Sequence, residues 1–293
     1  MIDTSRIGLG SLGKARRLLG LGRKPEEPKS TIARVVCIAS GKGGTGKSFV
    51  STNLAILRAQ MGERVLLVDF DAGLANDHLL LGVAPQHDLG HVMRGEVHAL
   101  EALVEGPAGI KLLSGGVGRD FLSNPTRRDL DKLFRALVPL EAGFDLIILD
   151  HGAGLGFATV ANLAAATTLL LVTNPEVTAL SDTYAVYKRA GLVNEFVHSG
   201  LVINRALDEA SAAGAWERFK GASQRFLGHQ PELIGWIPTD LGVQRSVDRR
   251  VPIVLDEPQS PASQALEAVA RWKQIDHARG ARPFFERARG SLR

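Results

Sequence analysis

The feature that most constrains the fold of this chain is a glycine-rich loop between a buried strand and a helix. Residues 35–39 read V-V-C-I-A, a short apolar run typical of a strand that is covered on both faces of a parallel sheet. Residues 41–48 read G-K-G-G-T-G-K-S and fit the pattern G-x-x-x-x-G-K-[ST] completely. A stretch rich in Asn, Leu and Ala follows at once, as expected of a helix. This order predicts a phosphate-binding loop in an α/β domain.

The residue types of the loop suit a nucleotide phosphate. Glycines let consecutive backbone N–H groups turn towards phosphate oxygens, and the amino end of the following helix adds a positive dipole. In this pattern Lys47 contacts the β and γ phosphates and Ser48 ligates Mg2+. Lys42 is an additional cation that an ordinary phosphate loop does not need. The predicted nucleotide-binding residues of this segment are Gly41, Lys42, Gly43, Gly44, Thr45, Gly46, Lys47, Ser48 and Phe49.

Further apolar runs recur along the chain, and each delivers a polar residue at its carboxyl end. The runs are residues 65–68, 146–149, 168–172 and 200–203, and the polar residues after them are Asp69, Asp150, Thr173 and Asn204. Stretches long enough for helices are residues 51–60, 125–140, 179–195 and 211–227. This alternation predicts an α/β fold, a doubly wound and mostly parallel sheet with helices on both faces. Ligands of such a sheet bind at the carboxyl ends of its strands.

Charge is distributed unevenly along the chain. The formal net charge is +4, of which residues 1–34 and 271–293 carry +5 each and the segment between them −6. We expect a basic flexible amino-terminal arm and linker at 1–31, an ATPase domain at 32–272 and a basic carboxyl-terminal tail at 273–293. The acidic body argues against a nucleic-acid-binding face. The basic ends either meet an anionic membrane or an acidic partner, or are solvated tails.

Cysteine content and hydropathy indicate the compartment. The single cysteine, Cys37, excludes an internal disulfide and a multi-thiolate metal cluster within one chain. No apolar run approaches the roughly 18 to 20 residues that cross a bilayer, and the start lacks the order of an export signal. We therefore expect a cytoplasmic protein, with peripheral attachment to the inner face of the cell membrane as the alternative.

Several motifs resemble those of the MinD/ParA ATPases, which are P-loop NTPases of the SIMIBI type. The loop with its early lysine, Lys42, looks like the deviant phosphate loop of that family. Residues 68–76 and 149–155 are similar to its two switch segments, and residues 173–178 and 235–240 to two later blocks. Within the first switch, the sequence G-L-A-N most resembles the flagellar-number regulators called FlhG or FleN.

The resemblance implies roles for particular residues. It implies an ATP-bound homodimer in which Lys42 reaches the phosphates of the partner and acts with Lys47 in hydrolysis, while Asp71 positions the attacking water. The other implied residues are Ser48, Asp69 and Asp150 for the magnesium ion, and Asn204 and Pro238 for adenine. Taken alone, Asp69 and Asp150 also fit a structural role as caps of the adjacent loops.

Phe49 departs from the threonine that is commoner after the loop in this family, and three positions of the switch segments depart as well. Ala75 and His78 stand where MinD-type proteins tend to carry arginine and aspartate, and His151 replaces a small or hydroxyl residue of the second switch. His151 follows the predicted metal ligand directly. It is therefore either a group that titrates beside a phosphate or a packing histidine.

The implied function is a membrane-cycling ATP switch that sets the place or number of a cell-surface assembly, with flagella as the first choice. Residues 281–293 are basic and hold two adjacent phenylalanines, which fits an amphipathic membrane anchor or a flexible tail. A flagellar GTPase or other regulator is the implied protein partner, although the Asp-Gln-Ala opening of the flagellar arm is not present. The alternatives are a MinD-like division-site regulator and a ParA-like DNA or cargo-segregation ATPase. The ParA-like alternative needs Arg245, Arg249 and Arg250 on a phosphate-binding surface.

Overall fold

The computed structural model of the chain describes residues 32–71, 75–116 and 125–292. The strands of these residues are β1 (Arg34–Ala39), β2 (Val65–Phe70), β3 (Val104–Glu105), β4 (Lys111–Leu113), β5 (Leu146–His151), β6 (Thr168–Thr173), β7 (His198–Ala206) and β8 (Glu232–Pro238). They form a single sheet in the order β3-β4-β2-β5-β1-β6-β7-β8. Every neighbouring pair is parallel except β3 and β4. The predicted mostly parallel α/β sheet is confirmed.

Helices cover both faces of this sheet. They are α1 (Lys47–Gln60), α2 (Asp77–Leu80), α3 (Leu89–Arg94), α4 (Arg127–Leu137), α5 (Phe157–Ala165), α6 (Val177–Val193), α7 (Glu209–Leu227), α8 (Leu241–Arg249), α9 (Ile253–Asp256), α10 (Pro261–Ala270), α11 (Lys273–Asp276) and α12 (Phe284–Gly290). Short 3-10 turns occupy Pro107–Gly109 and Val138–Ala142. The predicted helix at 125–140 is shorter in the structure. It begins at the capping box of Thr126 and Asp129, and it tightens into a 3-10 turn at Pro139, which has no N–H to donate.

The side chains of β1 alternate between two apolar cores, as the period of a strand requires. Val35, Cys37 and Ala39 belong to the core that includes residues of α4, α6 and α12. Val36 and Ile38 belong to the opposite core, which includes residues of α1 and α10. Because β1 is apolar on both faces, it is buried along its whole length and holds the loop that follows it in a fixed place.

The carboxyl-terminal segment differs from the prediction of a separate tail at 273–293. Helices α11 and α12 pack on the body, and the rings of Phe284 and Phe285 are only 1% and 0% exposed. Their backbone N–H groups both donate to the carboxylate of Glu141, at 2.8 Å and 2.9 Å. Pro283 stands just before the helix, where its fixed φ and missing N–H do no harm. The two aromatic residues are therefore core residues in this conformation.

The amino-terminal arm predicted at 1–31 lies outside the described residues. So do residues 72–74 of the first switch, residues 117–124 and Arg293. Among the helices that the structure describes, none combines the length and the apolar character needed to span a membrane.

Candidate functional site

The predicted phosphate loop lies where the carboxyl end of β1 meets the amino end of α1. Gly46 has a left-handed φ of +88°, and a Cβ at this position would overlap the side-chain amide of Asn204. A Cβ on Gly41 would likewise overlap the backbone of Asp182. These glycines are required by close approach and by backbone conformation. Phe49, the last residue of the predicted set, is buried in the core beneath the loop.

Asp150 is the central acceptor of the site. Its carboxylate lies 2.9 Å from the Lys47 Nζ and accepts hydrogen bonds from the Ser48 hydroxyl at 2.6 Å and the Ser51 hydroxyl at 2.8 Å. Burial acts to lower the pKa of Lys47, but the charge and hydrogen bond of Asp150 outweigh it and raise the pKa. Lys47 therefore stays protonated, and its ion pair with Asp150 holds its side chain in one position.

Sheet register brings a second carboxylate to the same place. Asp69 and Asp150 are partners on the neighbouring parallel strands β2 and β5. Asp69 accepts hydrogen bonds from the backbone N–H of Asp71 at 2.9 Å and of Asp77 at 3.3 Å, and so it also fixes the loop after β2. Burial, followed by the charge of Asp150, raises the pKa of Asp69 from its ordinary 3.8 to about 7. Burial and the neighbouring charge therefore disfavour the ionised form of Asp69, and a nearby cation would favour it.

A third carboxylate, Asp77, lies at the same place and was not predicted from the sequence. Single ligand oxygens of Asp69, Asp77 and Asp150 lie within 4.8 Å of one another, and all three side chains are buried. Burial, then the charges of Asp150 and Asp69, raises the pKa of Asp77 well above its ordinary value. A signal was available in the sequence, because Asp77 adjoins His78, the position where MinD-type proteins tend to carry an aspartate. The acid is displaced by one residue along the chain.

Asp71, the residue assigned to the attacking water, is half-buried at the start of the loop after β2. A Cβ on Gly152 of the second switch would lie 3.4 Å from its carboxylate. The structure therefore brings the Asp71 side chain next to the loop that follows β5, although it does not place Asp71 in the Asp150 hydrogen-bond network.

Asn204 lies against the phosphate loop. Its side-chain amide donates to the carbonyl oxygen of Thr45 at 2.8 Å, and the next residue, Arg205, donates to that of Gly44 at 3.3 Å. Arg205 has a left-handed φ of +57°, an uncommon conformation for a residue with a side chain. Pro238, the other residue assigned to adenine, ends β8 and is the register partner of Ala206. Both assigned positions therefore lie at the same end of the sheet as the loop.

The two lysines of the loop have different environments. Lys42 is half-exposed and lies 2.9 Å from the Glu176 carboxylate and 3.1 Å from the Thr178 hydroxyl. A hydrogen bond from Lys42, and then its charge, lowers the pKa of Glu176. The side chain of Lys47, by contrast, is turned inward to Asp150. Only Lys42 is accessible from outside the subunit.

His151 is a packing histidine. It is fully buried, its Nδ1 lies 3.0 Å from the carbonyl oxygen of Ile38, and its ring stacks on Phe70 with centroids 6.1 Å apart. Burial is the main cause that lowers its pKa to about 4, so the ring is neutral at neutral pH. His78, the other unusual histidine, lines a surface cavity with Pro85 and His87.

The donor set fits a magnesium–nucleotide pair. Carboxylate and hydroxyl oxygens are the ligands that Mg2+ prefers, and Ser48 and Asp150 already touch each other. The hydroxyl of Thr45, inside the loop, is buried and has no hydrogen-bond partner among the residues described, as expected of a group that meets a ligand. The buried cation Lys47 and this hydroxyl therefore belong to the same glycine-rich loop.

The fold and this site together define a P-loop nucleotide-binding protein. The chain belongs to the CobQ/CobB/MinD/ParA nucleotide binding domain family, whose profile matches residues 36–268.

Individual relatives agree with this family. The chain is 30% identical to the antiactivator FleN of Pseudomonas aeruginosa over 256 residues, which cover 86% of this chain and 91% of FleN. It is 29% identical to the flagellum site-determining protein YlxH of Helicobacter pylori, over 81% of this chain and 80% of YlxH. Among solved structures, the septum site-determining protein MinD of Pyrococcus horikoshii, complexed with Mg-ADP, superposes with a TM-score of 0.69 at 27% identity. That match covers 84% of this chain and 96% of MinD. The predicted membership of the MinD/ParA group, on its FleN side, is confirmed.

Proposed function

We propose that this chain is an ATP-binding and ATP-hydrolysing switch, which dimerises with ATP bound and controls the placement or number of flagella. Support for the flagellar role comes from the FleN and YlxH relatives and from the G-L-A-N sequence of the first switch. Support for ATP/ADP and Mg2+ comes from the donor set of the site and from the Mg-ADP bound to the MinD relative.

The contrast between the two loop lysines carries the proposal. The Lys47 side chain is 7% exposed and its partner Asp150 0%, so this pair is committed to its own subunit. The Lys42 side chain is 42% exposed and its partner Glu176 58%. Exposed ion pairs contribute about 0–1 kcal/mol, so Lys42 can exchange Glu176 for another anion at little cost. The phosphates of a second subunit are such an anion.

Within one subunit the residues have separable tasks. The loop amides and Lys47 bind the phosphates, and Asp71 orients the attacking water. Ser48, Asp69 and Asp150 would hold Mg2+, and Asn204 with Pro238 would frame adenine. When bound, Mg2+ neutralises charge that develops on the transferred phosphoryl group.

Turnover is then slow and depends on dimerisation, because Lys42 completes the site of the partner only in the dimer. Loss of the γ phosphate removes contacts that hold the switch segments, and the dimer population falls. The nucleotide state therefore sets which surfaces other proteins meet, a flagellar GTPase or another regulator among them.

Membrane attachment through residues 273–293 would require a change in the structure of this segment. The apolar face that would enter a bilayer includes Phe284 and Phe285, and both rings are core residues here. Attachment by this segment therefore requires α12 to leave the body. Sedimentation with anionic vesicles, with and without ATP, tests whether it does so.

Two of the three arginines that the ParA-like alternative needs form exposed ion pairs, and the third, Arg250, is exposed. Arg245 lies 2.8 Å from the Glu257 carboxylate, and Arg249 lies 2.9 Å from that of Asp256. Exposed pairs of this kind can exchange partners at little cost, so salt-sensitive binding to duplex DNA is the measurement that tests this alternative. A division-site regulator differs from a flagellar one in its target and remains the alternative for the cellular experiment.

The biochemical experiment compares Lys42→Ala with Lys111→Ala as a matched control, since Lys111 also forms an exposed ion pair, with Glu105 at 2.7 Å. ATP hydrolysis per chain should rise with protein concentration in the wild type. Lys42→Ala should lower it about 100- to 1000-fold while ADP still binds. Turnover equal to that of Lys111→Ala would contradict a role of Lys42 in the partner's site.

The cellular experiment identifies the target. A strain that carries Asp71→Ala in place of the wild type should show an altered number or position of flagella by electron microscopy. Normal flagella together with misplaced division septa would instead favour a division-site regulator.

A further inference from the structure

Asp77 is an anomaly in the described part of the chain. Its side chain is completely buried, yet neither of its carboxylate oxygens accepts a hydrogen bond from any residue that the structure describes. A buried charge without such partners costs several kcal/mol, on the order of the penalty known for ions removed from water. A carboxylate is kept in such a place when something absent from the isolated chain compensates it.

The position of Asp77 indicates what that compensation is. Its ligand oxygen lies within 4.8 Å of those of Asp69 and Asp150. The cation within this group is Lys47, which lies 2.9 Å from Asp150. When all three carboxylates are ionised, they and the one ammonium carry two net negative charges, which is the charge that one divalent cation neutralises.

We propose that Asp77 is a third carboxylate ligand of a divalent-cation site formed with Asp69 and Asp150, and that this site binds its cation before any nucleotide arrives. Oxygen donors of this kind take Mg2+, Mn2+ or Ca2+. This proposal rests on the proposed function. It adds Asp77 to the metal ligands, and it adds that the cation binds before the nucleotide.

Another explanation is that Asp77 is structural and shares a proton with Asp150, since, besides burial and the neighbouring charges, a hydrogen bond between these two carboxyl groups is among the causes that raise the pKa of Asp77. A shared proton would remove the uncompensated charge without any metal. If Asp77 is a metal ligand, the nucleotide-free protein binds a divalent cation through it. If Asp77 only shares a proton, the protein does not, and the experiment measures this difference.

The experiment titrates Mn2+ into the full-length, nucleotide-free protein and follows free Mn2+ by its electron paramagnetic resonance signal. The wild type should bind one Mn2+ tightly. Asp77→Asn keeps the shape and removes the charge, and it should weaken binding by at least about tenfold. Asp248→Asn, which removes an exposed carboxylate of α8, is the matched control and should leave the Mn2+ affinity unchanged.

Thermal unfolding provides a second measurement. Without metal, Asp77→Asn should melt at or above the temperature of the wild type, because it removes an uncompensated buried charge. With saturating Mn2+ the order should reverse, since the variant gains less from the ion. A variant that is less stable than the wild type to the same extent with and without Mn2+ would overturn the proposal.

The titration also separates this inference from the proposed function. No binding of Mn2+ by the nucleotide-free wild type, or equal affinity in Asp77→Asn, would overturn the metal proposal. Normal binding of ADP and normal hydrolysis in the same samples would leave the ATPase function standing. Failure of the wild type to bind ADP would refute the ATPase function, whatever the result with Mn2+.

Discussion

Two buried carboxylates, Glu141 and Asp77, lie in different regions of the molecule and have opposite surroundings. Glu141 is 2% exposed and accepts two backbone hydrogen bonds from the start of α12. Asp77 is 0% exposed and, within the described residues, accepts none. Both acids are buried, so burial alone does not distinguish a structural carboxylate from one that binds a ligand. The hydrogen bonds that are made or missing tell them apart.

The largest expected effect is that of Lys47→Ala. It removes the cation that balances Asp150 and leaves a buried anion unpaired, which costs about 3–5 kcal/mol of the free energy of unfolding. Urea denaturation measures the loss, and ADP binding should disappear together with it. Lys42→Ala is the control, since its ion pair is exposed. An equal loss of stability in both variants would contradict the contrast between the two lysines.

Glu141→Ala should have the next largest effect, because it leaves the N–H groups of Phe284 and Phe285 buried without acceptors. Each orphaned donor costs about 1–3 kcal/mol. Glu141→Gln retains one acceptor oxygen and should lose less. Denaturation midpoints that are the same for all three proteins would show that α12 is not anchored by this carboxylate.

The carboxylate cluster should give the metal-free protein an unusual pH dependence. The pKa of Asp69 is raised to about 7 in the folded state. The folded state therefore holds more protons than the unfolded one between about pH 4 and 7, and stability falls as pH rises through this window, by up to about 1.4 kcal/mol per pH unit. Asp69→Asn should make this slope shallower in urea titrations at stepped pH, while Asp77, whose pKa is also raised by burial, still contributes a slope of the same sign. His151 makes stability rise with pH below about pH 6.5, because burial lowers its pKa in the folded state. The quantity to compare is therefore the difference in the free energy of unfolding between the wild type and Asp69→Asn at each pH. An unchanged difference across the window would contradict the raised pKa.

Asn204→Ala should have the smallest effect. It removes one hydrogen bond, from the Asn204 amide to Thr45, which contributes about 0.5–1.5 kcal/mol. It also frees space beside Gly46, so the loop should become more mobile and ADP affinity should fall. Hydrogen exchange of the loop amides measures that mobility, and unchanged exchange would contradict a bracing role. Asn53→Ala, at a buried amide of α1 that contacts Val254, is a control for simple loss of a hydrogen bond.

The sequence predicted what is local and repetitive. The phosphate loop follows from one continuous motif, and Asp69, Asp150 and Asn204 follow from their places after apolar runs. These runs are strands whose carboxyl ends meet at one edge, so the positions of their last residues were determined by the sheet.

The position of Asp77 and the packing of α12 depend on tertiary contacts, and the sequence did not predict them. Asp77 opens a helix of only four residues, too short to give a periodic pattern. Pro283 and Gly290 disfavour a helix in the sequence of the tail, but the proline precedes α12 and the glycine ends it. The anchor of α12 is Glu141, more than 140 residues earlier in the chain, and no local pattern connects the two.

The position of β5 in the sheet has a consequence for how the protein is made. Strands β1 and β2 do not pair with each other; each pairs with β5, which lies between them. During synthesis the phosphate loop emerges from the ribosome about 100 residues, and Asp69 about 80 residues, before the strand that joins them. A nascent chain that ends before residue 146 therefore has a glycine loop but no assembled pocket, and nucleotide can help folding only after β5 has been inserted.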